Sequence, residues 1–135
     1  MKDKVIRLLA EKGYAYKDFG CNKEETVDYP DIAVKVAEAI AGGEFERGFL
    51  ICGTGIGMCI AANKVNGIRA AQCYDVFTAK RARMHNDAQI CCLSAEDAKA
   101  RIQAIVNTFL NTEFEGGRHI MRLNKIKEIE ENKLH

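Results

Sequence analysis

Gly48-Phe49-Leu50-Ile51-Cys52 runs without a charge straight into Gly53-Thr54-Gly55-Ile56-Gly57. The apolar run is too short to be a helix of its own and does not alternate with polar residues, so it reads as a strand buried on both faces. The glycines let the chain turn sharply, and a small-residue helix over 58–64 follows. The alternation then continues with a strand over 68–73, a helix over 75–84 and a strand over 89–93. Ser94-Ala95-Glu96-Asp97 is a capped start for a helix reaching about Leu110. Such an order predicts an α/β domain, a parallel sheet with helices on both faces, whose ligands bind where loops leave the carboxyl ends of the strands.

The flanks fit one domain spanning 1–135. Val5, Ile6, Leu8 and Leu9 make a helical stripe over 2–12 that ends at Gly13, where a left-handed cap fits. Residues 14–19 read as a strand, followed by the polar loop Cys21-Asn22-Lys23-Glu24-Glu25. Asp28-Tyr29-Pro30-Asp31 marks a helix start that continues through Ile32, Val36 and Ile40 to Gly42-Gly43. After Gly116-Gly117, Ile120, Leu123, Ile126, Ile129 and Leu134 repeat among charges, a stripe for the core or for a second subunit. With 20 basic and 19 acidic side chains the formal charge is +1, which gives no global basic field for nucleic acid or an anionic membrane. No apolar run approaches the ~20 residues of a membrane span, and no signal-peptide core follows Met1. The expectation is a cytoplasmic protein.

The six cysteines, Cys21, Cys52, Cys59, Cys73, Cys91 and Cys92, sit mostly among apolar residues and read as free thiols in a reducing cell. No Cys-x-x-Cys pair exists and histidines number three, which argues against a structural metal. Three alternating glycines after a strand point backbone amides at one spot, a nest for an oxyanion or phosphate. The spacing matches neither a dinucleotide fingerprint nor a nucleoside-triphosphate loop, and taken alone it is equally a tight strand-to-helix turn. Cys52 at the rim of the nest is placed to act as base or nucleophile. The alternative for it is a small buried hydrophobe, which is the preferred reading for Cys59, Cys73, Cys91 and Cys92. His85, in Arg81-Ala82-Arg83-Met84-His85-Asn86-Asp87, is a candidate proton carrier or a structural histidine. Arg118 and Arg122, four apart on one helical face, suit a phosphate or a solvated basic turn.

Taken together, Thr26-Val27-Asp28-Tyr29-Pro30-Asp31, Ile51-Cys52-Gly53-Thr54-Gly55-Ile56-Gly57-Met58, Ala61-Ala62-Asn63-Lys64, Gly67-Ile68-Arg69-Ala70-Ala71, His85-Asn86-Asp87 and Glu113-Phe114-Glu115-Gly116-Gly117-Arg118-His119 closely resemble the type B ribose-5-phosphate isomerases and the related galactose-6-phosphate isomerase subunits. The resemblance runs over nearly the whole chain. It implies a three-layer Rossmann-like α/β fold and interconversion of ribose 5-phosphate and ribulose 5-phosphate through a cis-enediolate, with no metal or cofactor. Cys52 would be the base, Thr54 and the backbone of Gly53, Gly55, Ile56 and Gly57 would hold the enediolate oxygens, and His85 would assist ring opening. Asn86 would bind the sugar, Arg118 and Arg122 the phosphate, and Tyr29 would line the pocket. A homodimer or tetramer is implied, its sites shared between subunits, with the terminal helix over 118–135 at the dimer interface.

Two departures from the family pattern matter. Its members open with a strand and a Gly-Ser-Asp-His-Ala-Gly loop, whereas this chain starts at the following helix. Either the start is placed too late or, as Met1 heading a helix without a capping residue favours, the expectation is a truncated product with a gap in its sheet where a strand would lie, apolar faces beside it, and impaired activity or folding. The second is Glu96, where many members carry an arginine for the phosphate. Either Glu96 points away as a helix N-terminal residue, or the preferred substrate is another aldose phosphate, such as allose 6-phosphate or galactose 6-phosphate. A catalytically impaired sugar-phosphate-binding subunit and a generic nucleotide-binding domain are the other readings.

Overall fold

The computed structural model describes residues 1–20, 28–98 and 100–132. Cys21, the loop around it, Thr26, Val27 and Leu134 lie outside the described residues. The chain begins with helix α1 (Lys2–Glu11), then α2 (Tyr29–Ala41), strand β1 (Gly48–Cys52) and α3 (Ile56–Ala62). Strand β2 (Ala70–Gln72), α4 (Val76–Asn86), β3 (Ile90–Ser94), α5 (Ile102–Asn111) and α6 (Arg118–Glu130) follow. The strands form one parallel sheet in the order β1-β3-β2, with β3 central and Cys52 level with Ser94 at its carboxyl end. This is the predicted α/β architecture.

Alternation along the strands decides which helices cover which face, because successive side chains point to opposite sides. Cys91 and Leu93 face one layer with Val5 and Leu8 of α1, Ala79 and Ala82 of α4, and Ile102, Ile105 and Phe109 of α5. Ile90 and Cys92 face the other, with Ala33, Val36, Ala37 and Ile40 of α2 and Met58 and Ala62 of α3. Each fully buried Leu, Ile or Phe here contributes about 1.5–3 kcal/mol. Helix signals fall where expected: Gly13 adopts φ +78° after α1, and Asp28 stands at the N-cap position of α2, without a side-chain capping bond, with Pro30 in the first turn. Helix α4 is closed by a reciprocal cap, in which Thr78 N–H donates to Asp75 Oδ1 at 2.8 Å and Asp75 N–H donates to Thr78 Oγ1 at 3.2 Å.

Two expectations are corrected. Residues 14–19 do not form a strand. They lie across from the outer edge of β1, and a cavity of about 730 Å³ lined by Val5, Ile6, Leu9, Phe49, Ile51 and Leu110 separates the two. A strand exists only by pairing, and among the described residues β1 pairs with β3 alone, so the segment has no ladder to join. Ser94-Ala95-Glu96-Asp97 does not start a helix either; α5 begins at Ile102. Its capping residues instead clamp a turn onto the end of β1, with Ala95 N–H on Cys52 O at 2.9 Å and Glu96 N–H on Gly53 O at 3.1 Å. Ser94 Oγ also donates to Gly53 O at 2.8 Å. The stripe of α6, read as facing the core or a second subunit, is not taken into the core by the described residues: its Ile120, Ile126 and Ile129 are exposed, as is Met121 beside them, and His119 is the buried residue of that helix.

Candidate active site

The glycine loop sits where β1 hands over to α3, at the carboxyl end of the sheet. Gly55 takes φ +80°, and a Cβ there would meet the Leu93 carbonyl carbon at 3.1 Å and its oxygen at 3.2 Å, so β3 itself demands glycine. At Gly57 a Cβ would fall 2.6 Å from the Tyr29 ring, so the missing side chain is what seats Tyr29 against the loop. The amide of Gly55 donates to Cys52 Sγ at 3.1 Å, and that of Ile56 to Thr54 Oγ1 at 3.2 Å. Gln72 Nε2 donates to Thr54 O at 2.6 Å and ties the loop to β2. Cys52 is half-buried and a free thiol, and Thr54 and Ile56 are exposed. Tyr29, Cys52, Thr54 and the loop therefore form one half-site around a thiol.

Glu96 does not point away. Its Oε1 would be 2.9 Å from a Cβ on Gly53, so the carboxylate leans over the rim of the loop from the turn clamped to Cys52 and Gly53. The expected helix N-terminal position is thus overturned, because the turn that replaces the helix carries the side chain inward.

The second group gathers at the opposite end of the sheet. His85 and Asn86 end α4, whose chain passes through Ala88 and Gln89 into Ile90, the residue level with Gly48 at the start of β1. From Gly48 to Cys52 is four strand steps, about 13 Å, so one chain does not bring Cys52 and His85 together. Arg69 fixes the end of α4, its Nε donating to Asn86 O at 2.8 Å and its Nη2 to Asp87 O at 3.1 Å. Arg81 Nη1 lies 3.1 Å from His85 Nε2. Since a guanidinium only donates, that nitrogen is the acceptor of the pair. The His85 ring stacks on His119 with centroids 4.3 Å apart. Burial, His85 and the Arg118 and Arg122 charges hold His119 below the usual histidine range, against the opposing pull of Glu115. Arg118 and Arg122 are exposed in the first turns of α6.

His119 and Glu115 were not singled out in the sequence. Both stand in Glu115-Gly116-Gly117-Arg118-His119, but their approach to His85 is a long-range packing result with no local signature. The Cys59 thiol donates to Ala70 O at 3.4 Å. Cys59 is half-buried, and a hydrogen bond with Cys92 brings its thiol down to about 7 while Cys92 is pushed far up.

A parallel α/β domain with a glycine loop and a thiol at the carboxyl end of its sheet, and a His-Arg group at the other, fits the class of small-molecule enzymes built on such sheets. Known proteins narrow the class. The Ribose/Galactose Isomerase family model matches residues 1–126, and the chain belongs to that family of sugar-phosphate isomerases. It is therefore an aldose-ketose isomerase by descent. The chain is similar to the ribose-5-phosphate isomerase B of Clostridium thermocellum, at 48% identity and TM-score 0.94 over 97% of this chain and 89% of that one. A ribose-5-phosphate isomerase B from Mycoplasma genitalium, with bound ribulose-5-phosphate, matches at 40% identity and TM-score 0.90 over 96% and 88% of the two chains. The D-erythrulose-4-phosphate isomerase of Pectobacterium atrosepticum is 43% identical over 100% of this chain and 90% of its own length. Among the described residues no helix is long and apolar enough to cross a membrane.

Proposed function

We propose that this chain interconverts ribose 5-phosphate and ribulose 5-phosphate in the cytoplasm, with Cys52 as the base and without a metal or organic cofactor. The observation that carries the reading is the Cys52 thiol seated against the Gly55 amide inside the glycine nest. In the opened aldose, Cys52 as thiolate takes the proton from C2, the electron pair forms the C1–C2 double bond, and the C1 oxygen becomes the enediolate oxygen. Returning the proton to C1 while the hydroxyl proton on O2 passes to O1 closes the C2 carbonyl and gives the ketose, so no redox partner is needed. Thr54 and the amides of Gly53, Gly55, Ile56 and Gly57 hold the oxygen on which charge develops, where fixed donors act most strongly. Tyr29 walls the pocket.

Ring opening, sugar contact and phosphate binding are assigned to His85, Asn86, Arg118 and Arg122. They stand at the far end of the sheet from Cys52, so the reading includes a homodimer in which one chain supplies the nest and its partner the His-Arg group. The exposed stripe of Ile120, Met121, Ile126 and Ile129 on α6, the helix that also bears both arginines, supports such a pairing.

The position of Glu96 favours a second substrate reading within the same chemistry. A carboxylate over the nest disfavours a phosphate at that rim, and a relative of this chain bears the name of a different sugar phosphate. A panel of ribose 5-phosphate, allose 6-phosphate, galactose 6-phosphate and D-erythrulose 4-phosphate ranks them by kcat/KM. The decisive variant is Cys52→Ala: turnover should fall by about 10²–10⁴, with exchange of the C2 proton into solvent lost and circular dichroism unchanged. Unaltered turnover removes Cys52 from the role. Tight sugar-phosphate binding without turnover by the unsubstituted chain would make it a binding subunit.

A further inference from the structure

We propose that His85, Glu115 and His119 form a reversible binding site for a divalent metal ion of the zinc type, and that its occupancy withdraws His85 from the reaction. The three side chains each bring one donor atom to within 4.8 Å of the others. Two imidazoles and a carboxylate are a donor set that zinc accepts, with a fourth position left to water.

The geometry contains an unanswered polar atom that calls for a partner. His119 is only 4% exposed, and its Nε2 has no hydrogen-bond partner among the described residues. A buried polar atom left unpaired costs about 1–3 kcal/mol. Nε2 faces Glu115 Oε1 at 3.9 Å. That separation is too long for a hydrogen bond, but it suits two donors that each approach an ion to about 2.0–2.2 Å.

His85 fits the same arrangement. The contact from Arg81 shows that His85 Nε2 presents a lone pair rather than a proton, as a metal ligand must. An ion would take the place of that Arg81 N–H, with the half-buried His85 ring turning out of its stack on His119 to aim the lone pair inward. His85 also lies in the last turn of α4, the end of a helix that favours a cation. The exposed Glu115 carboxylate opens the site to solvent and supplies its negative charge. Arg81, Arg118 and Arg122 oppose a further positive charge nearby, which makes the site weak and exchangeable rather than structural.

The binding site stands on these donors alone, whereas its effect on turnover rests on the isomerase reading, in which His85 assists ring opening. Two measurements on the full chain keep the two apart. In the first, zinc competes with a chromophoric chelator, and cobalt(II) is added as a spectroscopic substitute. Glu115→Gln, at an exposed position outside the reaction chemistry, should weaken zinc by at least about tenfold and abolish the intense visible bands of four-coordinate cobalt. Unchanged affinity in Glu115→Gln, or a thiolate-to-cobalt charge-transfer band that places the ion on cysteine, overturns the site. In the second, zinc should inhibit ribose 5-phosphate turnover of the unsubstituted chain, a chelator should restore it, and Glu115→Gln should turn over normally and resist zinc. Binding without inhibition overturns the proposed withdrawal of His85. A chain inactive even without metal sinks the isomerase reading while the chelator competition still decides the site.

Discussion

The amide of Gly55 donates a hydrogen bond to Cys52 Sγ at 3.1 Å, and the φ of +80° that aims this amide at the sulfur is open to glycine for want of a Cβ, which here would also crowd the Leu93 carbonyl carbon at 3.1 Å. Position of the base and packing of the central strand are thus one constraint.

Gly55→Ala should therefore lose stability and activity together. The left-handed backbone and the contact with Leu93 cost about 1–3 kcal/mol, and any relief moves the amide off Cys52. Gly13 supplies the control, since its φ of +78° is similar but nothing lies within 4 Å of an added Cβ. Gly13→Ala should lower the urea midpoint slightly and leave kcat untouched. Equal losses of kcat in both variants would show that the backbone, not the placement of the amide, is what the reaction senses.

Arg83 is the buried keystone at the end of α4. Its Nε donates to Thr112 O at 3.0 Å and its Nη1 to Asp87 Oδ1 at 2.9 Å and Ala88 O at 2.8 Å, while the guanidinium carbon lies 5.8 Å from the centre of the Phe109 ring. Arg83→Met keeps much of the volume, leaves the Thr112 and Ala88 carbonyls without this donor and, among the described residues, leaves Asp87 with Arg69 alone at 3.5 Å. The expected loss is about 2–4 kcal/mol, read as a shift of the urea midpoint. Because Asp87 holds φ +45° directly after Asn86, the same variant should raise KM more than it lowers kcat. A midpoint unchanged within error would mean that water replaces the guanidinium at no cost.

Much of this architecture is legible in the residues themselves. The apolar runs mark β1 and β3 as strands, although only β3 is buried on both faces while Phe49 and Ile51 of β1 line the cavity, and Gly13, Pro30 and Asp75 mark helix ends by backbone chemistry that acts locally. Residues 14–19 have strand-like composition, but a strand is completed by its neighbour, and composition does not say whether one is there. Ser94 and Asp97 carry genuine capping chemistry that β1 recruits for a turn, a competition decided by tertiary contact. The site divides in the same way. Cys52 and the glycines are contiguous and readable, whereas the meeting of His85 with Glu115 and His119, and the distance of that group from Cys52, follow only from how α4 and α6 pack.

The cap of α4 gives a pH dependence with a definite sign. Backbone and side-chain hydrogen bonds from Thr78 hold Asp75 below its ordinary value of 3.8. A carboxylate whose folded pKa is lowered adds stability that is complete above its unfolded pKa and is lost as pH falls through the folded one. Asp75→Asn should therefore be less stable than the unsubstituted chain at pH 7, with the gap closing in acid below about pH 4. Urea midpoints at both pH values test this, and a gap that persists unchanged in acid would assign the loss to geometry rather than to charge.

Complementation between two inactive variants examines the shared site most directly. If Cys52 of one chain works with His85 of its partner, Cys52→Ala and His85→Ala homodimers each lack one essential group at both sites. A mixed dimer would hold one site with both groups intact and one with neither. Free exchange makes half of the dimers mixed, so unfolding and refolding an equimolar mixture should restore about a quarter of the unsubstituted activity from two near-silent proteins. Each protein refolded alone must stay silent, and the recovered activity should scale with the mixed-dimer fraction measured by native mass spectrometry. No recovery despite a measured mixed fraction would mean that Cys52 and His85 of the same chain must act together, which would overturn the shared site and require the distance of about 13 Å between the two ends of β1 to be closed within one chain.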